Sequence, residues 1–464
     1  MNSLMAQNPS AGKSATAKYG LLSLTLLVVA SMVGVGVFTT SGYTLGAVGS
    51  PGRVMLCWIL GGIIAICGAI AYGRLASLMP QSGGEYLYLS RAVHPLAGFL
   101  AGWVSLTAGF SGAIATAAVA FEQYAMPKSV RPEGLPEDGL AVLIVILFGM
   151  AHGVKAGFGK SAQNAIVVIK IATLTAFLLI VASRLGTHQW HFSAQERPTE
   201  TVRESVTAIA NSLVWISLSF AGFNAAIYVA GESRDAARNV PRALLLGTVV
   251  VSVLYLLLNL IFVSAAPSSE LVWQEPVAAI AAHAVGGQQL EQLIRVAVSL
   301  GLLSSISGMI MTGPRVYSQM ATDAVFPKSF SMDCGGLRRS IVLQTVIAAG
   351  LIIVQRLLVS AGLLDSSLLG LFIYLGTTLS LSSACSVATL FLPRIRGRLQ
   401  KTHRAGDLAC VVYVGATLLS VFLMAASHQL NGESQGFWHL TGAALTLATG
   451  LIAWKTVGRR SRSA

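Results

Sequence analysis

The sequence predicts an all-α polytopic membrane protein, and three observations carry that prediction. Apolar runs of about 20 residues or more recur along the chain, each long enough to cross a bilayer as a helix. Hydrophobic residues make up 54% of the 464 and charged residues only 11%, against about 25% charged in a soluble domain. The lysines and arginines fall mostly on one side of the spans that those runs define.

Twelve spans can be drawn, at about 20–47, 51–79, 95–126, 138–157, 160–183, 204–230, 239–265, 292–321, 340–362, 365–392, 407–428 and 436–457. Several exceed a bilayer's thickness, so tilt or breaks are expected. The first run is too long for a cleavable signal peptide and reads as a span. With the N-terminus placed in the cytoplasm, 22 of the 31 Lys and Arg lie on the cytoplasmic side and eight on the outer side, leaving Lys170 within a span. The positive-inside rule therefore puts both termini in the cytoplasm. It also explains the net charge of +13 by topology and contact with anionic lipid, not by nucleic-acid binding. A bacterial inner (plasma) membrane is the expected location.

The first span holds the organising feature. Gly34, Val35, Gly36, Val37 and Phe38 sit mid-span, followed by Thr39, Thr40, Ser41 and Gly42. Glycine weakens a helix by about 1 kcal/mol against alanine. Backbone that leaves the helix at membrane depth has to line a cavity or a ligand site. Close helix packing through small residues is the plainer reading of this segment taken alone. A matching interruption changes the balance. The sixth span contains SLSFAGFNAAIYVAGE, with Ser217, Ser219, Ala221 and Gly222 near its middle. Paired breaks in corresponding spans of two halves point to a transporter site. Free N–H groups on one half-helix suit a carboxylate, and free C=O groups on the other suit an ammonium.

Lys170 stands mid-way along the fifth span in IVVIKIATL, about 15 Å of helical rise from either end. Snorkelling to an interface is the plainer reading; a buried, proton-binding amine is the functional one. Ser304, Ser305 and Ser307 of the eighth span are the polar groups within its expected reach. The stretch 268–290 reads as a short re-entrant or surface helix capping the outer face. His188 and His191 form a lone HxxH pair in a loop, without a third ligand nearby, so no metal is expected. The five cysteines, odd in number and without CxxC, indicate neither a disulfide framework nor zinc. No cofactor is implied.

Several motifs in this order resemble the amino acid–polyamine–organocation (APC) superfamily of permeases. GVGVF resembles its first-span G-[ST]-G-[IV]-F. Tyr72 to Leu89, YGRLASLMPQSGGEYLYL, resembles its second-span and loop signature. Phe220 to Leu244 resembles the sixth-span signature with its GE and N-x-P-R-A. Arg315 to Pro327 resembles the end of span eight, and Lys170 matches a lysine many members carry. The resemblance implies a leucine-transporter-type five-plus-five inverted repeat. Residues 20–392 would form the core, in repeats of about 20–183 and 204–392, and 393–457 two further helices. Residues 1–19 and 458–464 would be cytoplasmic tails. It further implies that the amides of Val35, Gly36 and Val37 hold a substrate carboxylate. Carbonyls near Ser31, Met32 and Phe220 would hold its ammonium, with Gly34 and Gly222 opening the two breaks. Lys170 would couple protons, supported by Ser305. Departures are visible: Val35 replaces Ser or Thr, Leu218 replaces an aromatic gate, and Arg74 replaces Glu. Trp215 or Phe220 is the candidate substitute gate. Asn224 is neutral and no acidic partner for a cationic substrate stands within the spans, which favours neutral amino acids.

The expected activity is secondary transport of an amino acid by alternating access, coupled to protons, with the amino acid or amine, protons and membrane lipid as partners. An amino acid, amine or polyamine exchanger is the near alternative, and a non-transporting sensor the remote one. An enzyme would need converging catalytic groups within the spans, and a channel would need a filter repeat; neither pattern is present.

Overall fold

The computed structural model describes residues 19–127, 131–154, 159–193, 201–331, 335–364, 366–397, 404–431 and 434–458. The expected tails, apart from residues 19 and 458, lie outside the described residues, as does Cys334. α1 (Leu21–Met32) and α2 (Gly36–Val48) are two halves of one span, bent by 43° at 33–35. α3 (Pro51–Leu78) starts where Ser50 Oγ accepts the Arg53 amide at 3.3 Å and Pro51 fills a position that needs no N–H. The chain then turns through Gly83 (φ +139°) and Gly84 (φ +58°) into α4 (Gly84–Ala92), conformations a side chain would resist. α5 (Pro95–Val104), a π-helical segment (Ser105–Gly112) and α6 (Ala113–Ala125) make one continuous span. α7 (Gly139–Val154) and α8 (Gly159–Ser183) follow.

The second half opens with α9 (Val202–Ser219), whose N-terminus carries a reciprocal Thr201–Glu204 capping box. After a turn the chain resumes as a 3₁₀ helix (Ala225–Glu232), then α10 (Ala236–Ser264) and the single turn α11 (Ser268–Leu271). α12 (Val277–Thr322) is kinked at Gly287, where φ is 65° and ψ −162°. The expected cap at 268–290 is therefore one short turn plus a leading arm continuous with the eighth span. α13 (Gly336–Ser360), α14 (Ser367–Ala388), α15 (Pro393–Arg396), α16 (Arg404–Asn431) and α17 (Ser434–Ala453) complete the chain.

Among the described residues, helix falls within each of the twelve stretches drawn as spans. Among the described residues seven helices are long and apolar enough to cross a membrane alone, or eight with the bent α1–α2 pair; 139–153 and 168–183 are shorter apolar helices. On α10, Leu246, Val250, Val253 and Leu257 recur at helical spacing and are about half exposed, a stripe suited to lipid. Its opposite face buries Val251, Tyr255, Leu258 and Phe262 against α1 and α3. One polar chain inside the bundle links three helices. Trp58 Nε1 donates to Ser41 Oγ at 2.9 Å, Ser41 donates to Asn259 Oδ1, and Asn259 Nδ2 donates to the Tyr255 carbonyl at 2.8 Å. Arg74, where the motif carries Glu, pairs with Asp407 at 2.8 Å and so ties α3 to α16.

Candidate functional site

The two interruptions meet in the middle of the bundle. A helix end leaves its last carbonyls or first amides short of intrahelical partners, and the facing ends of α1 and α2 stand at this break, where the Val33 amide still reaches the Val29 carbonyl at 3.2 Å and the Phe38 amide the Val35 carbonyl at 3.1 Å. α9 ends at Ser219 directly beside them: a Cβ on Gly36 would lie 2.6 Å from Ser219 Cα and 2.7 Å from its Cβ. Gly222 adopts φ +96° and backs onto Ser31, whose carbonyl oxygen would be 2.7 Å from a Cβ there. Thr40 and Ser219 share a hydroxyl contact of 3.1 Å. From α10, the Tyr255 hydroxyl lies 2.6 Å from the Met32 carbonyl oxygen and 3.0 Å from that of Ser219. One proton thus serves a carbonyl from each break.

A cavity of about 810 Å³ spreads from this junction, a volume within the usual range for small-molecule sites. Ser31, Met32, Gly34, Val35 and Gly36 line it from the first break, and Leu218, Phe220, Gly222 and Asn224 from the second. It runs to Tyr19, Ser23 and Arg315, at the end of the bundle where α1 begins. At the other end the helices are sealed. Tyr43 packs against Trp215, Trp273 and Phe372 with ring centroids 6.2, 6.4 and 6.0 Å away. The Trp273 amide donates to the Gly42 carbonyl at 3.0 Å, and the Tyr43 hydroxyl donates to Glu275 at 2.8 Å. Ser366 donates to the same Glu275 oxygen.

Of the residues expected at the site, most face the cavity and some do other work. Val37 is buried in the first turn of α2. The Met32 carbonyl is engaged by Tyr255, and the Phe220 carbonyl accepts the Phe223 amide at 3.2 Å. The Phe220 ring packs on Trp58 and Tyr255 at 5.9 and 5.2 Å. Trp215 belongs to the sealed end. Lys170 is 3% exposed and donates to the Val33 carbonyl, at the C-terminal end of α1 where the helix dipole favours a cation. Its stem lies against Gly301 of α12, 3.4 Å from a Cβ built there. Ser305 lines the cavity but donates to the Gly301 carbonyl at 3.0 Å, and Ser307 meets His152 Nε2 at 2.9 Å.

One functional-looking group escaped the sequence reading. Glu85 of α4 is 5% exposed and lines the cavity. Its carboxylate accepts from Tyr72 (3.0 Å), Tyr228 (2.9 Å) and Asn224 Nδ2 (2.6 Å). The only signal available was an acidic residue inside SGGEYLYL, between two drawn spans.

Two broken helices crossing at a central cavity, within a bundle of bilayer-length apolar helices, define an all-α polytopic membrane protein with a small-molecule site at its middle. Residues 19–447 match the amino acid permease family, and the chain belongs to that family. It is similar to large neutral amino acids transporter small subunit 2 of Mus musculus, 24% identical over 331 residues, 70% of this chain and 62% of the relative. It is also similar to Asc-type amino acid transporter 1 of Homo sapiens, 26% identical over 321 residues, 68% and 60% of the two chains. A third relative is b(0,+)-type amino acid transporter 1 of Mus musculus, 26% identical over 262 residues, 56% and 53%. The chain spans about three fifths of the length of the first of these curated relatives.

Proposed function

We propose that this chain is a secondary transporter that carries an amino acid across the membrane by alternating access. The observation behind it is the junction of two half-helix ends on one cavity. The free amides at the start of α2, at Val35, Gly36 and Val37, offer hydrogen-bond donors and positive dipole to a carboxylate. The carbonyl of Ser31, a cavity-lining residue that abuts Gly222, offers an acceptor to an α-ammonium. A zwitterion bridges the two without a charged side chain of the protein. The relatives' names agree on amino acids as cargo, and large neutral amino acids are the leading candidates. With both termini cytoplasmic in a bacterial inner membrane, the cavity opens inward and the Tyr43–Trp215–Trp273–Phe372 seal faces outward. Residues 20–183 and 204–392 then act as the two repeats, with 393–457 outside them.

Lys170 is the proposed proton-coupling group. Protonated, it makes a charge-assisted bond to the Val33 carbonyl and ties α8 to the end of α1; neutral, it makes a bond of roughly half the strength. Proton loss therefore loosens the first break from its neighbour. The test is uptake of labelled amino acids into proteoliposomes, with and without an inward proton gradient, for the wild type and Lys170→Ala. Gradient-driven uptake that the variant loses supports the reading. Uptake that needs preloaded internal substrate and ignores the gradient makes the protein an exchanger and removes the coupling role from Lys170. No flux of any amino acid or amine sinks the transporter reading.

A further inference from the structure

We propose that Glu85 is the cation-binding end of the cavity, a subsite for the ammonium or guanidinium group of a basic amino-acid side chain. The inference rests on the cavity being an amino-acid site and widens its cargo beyond neutral side chains. Glu85 is buried, yet it borders the cavity. Its three hydrogen-bond donors, Tyr72, Tyr228 and Asn224, are all neutral side chains. Among the described residues no Lys, Arg or His pairs with it. Arg315, which lines the cavity, is paired with Glu232 at 3.4 Å, and the buried Lys170 donates to the Val33 carbonyl. A carboxylate offers about four acceptor positions, so one stays open for an arriving donor.

The walls suit the same guest. The Phe110 and Tyr228 rings pack at 5.6 Å, the Phe223 ring lies 6.2 Å from that of Tyr413, and all four residues line the cavity. Aromatic walls around a carboxylate accommodate an aliphatic stem and attract its cationic tip. Connectivity bounds the separation. Asn224, which donates to Glu85, lies two residues beyond Gly222, which abuts Ser31. Two peptide units, a side chain and a hydrogen bond keep the carboxylate within about 10 Å of the proposed α-ammonium position. That is comparable with the reach of an extended arginine.

Competition against a labelled cargo in proteoliposomes tests this, with L-norleucine, L-lysine and L-arginine as probes. Norleucine keeps the aliphatic chain of lysine and lacks its amine. The wild type should accept all three. Glu85→Gln should weaken lysine and arginine by about tenfold or more while norleucine stays within about twofold. A wild type that takes norleucine and rejects lysine and arginine overturns the subsite and leaves the transporter reading standing; this arm needs no variant to fold. A folded Glu85→Gln protein that loses all three probes equally makes Glu85 a structural tie. A variant that changes only the pH profile of norleucine uptake makes it a proton carrier. Either result overturns the proposal. A wild type that takes none of the probes, with no other cargo, fells both readings together.

Discussion

Replacing Gly222 with alanine is the sharpest single perturbation of the broken-helix junction. At φ +96° a residue with a side chain is disfavoured by roughly 1–2 kcal/mol. The new Cβ would also stand 2.7 Å from the Ser31 carbonyl oxygen and 2.9 Å from its carbonyl carbon. Both are backbone atoms that cannot swing aside, so overpacking of about 1–3 kcal/mol is added. Together these oppose the observed junction by about 2–5 kcal/mol, or about 30-fold to several-thousand-fold in its population. The assay pairs uptake in proteoliposomes with thermal stability in detergent. Gly415→Ala serves as the control, because a Cβ at that exposed position of α16 meets nothing within 4 Å. Gly222→Ala should lose nearly all flux and melt several degrees lower, while Gly415→Ala keeps both. A Gly222→Ala protein with wild-type flux and melting temperature would refute the close approach of the two breaks.

Two further outcomes follow from the same geometry. Tyr255→Phe removes the hydroxyl that serves the Met32 and Ser219 carbonyls and should destabilise the protein by about 1–3 kcal/mol, read as a lower melting temperature; an unchanged temperature would show that water replaces the hydroxyl without cost. Trp273→Ala strips the ring that covers Gly46 and packs on Tyr43 and Trp215, so a cysteine placed at Ser217 should react faster with an impermeant thiol reagent added from the sealed side. Equal labelling with and without Trp273 would mean the seal lies elsewhere.

The positions of both breaks were readable because glycine and serine clusters interrupt otherwise apolar runs. Lys170 was readable because one ionisable group in such a run has few places to go. The form of the second break was not readable: nothing in AAIYVAGE separates a 3₁₀ helix from a continued α-helix. Glu85 was passed over because it stands between drawn spans, and only the turn at Gly83 and Gly84 carries α4 back against the 3₁₀ helix, where Gly84 meets the Tyr228 ring. Tyrosines such as Tyr72, Tyr228 and Tyr255 look like ordinary membrane packing until their hydroxyls are located. The sealing role of Trp273 and Glu275 was hidden for a related reason. The sequence marks 268–290 as a cap, while its docking onto α2 depends on tertiary contacts at Gly42 and Gly46.

The chain just before α1 is also stitched to the far end of the second break. Tyr19 donates to the Glu232 carbonyl at 3.4 Å and accepts from the Arg234 amide at 2.9 Å. With Gly36 against Ser219 and the shared proton of Tyr255, this makes the two interrupted helices one mechanical body, clasped at its middle and at one end. On the proposed reading of the site, such a body would grip by conjunction. A guest offering only an acid or only an amine would satisfy one jaw and leave the other unmet, so the clasp would respond to the pairing of the two groups more than to either alone. Discrimination between a zwitterion and its fragments would then be a property of how the helices are fastened together, set before any side chain of the cargo is felt.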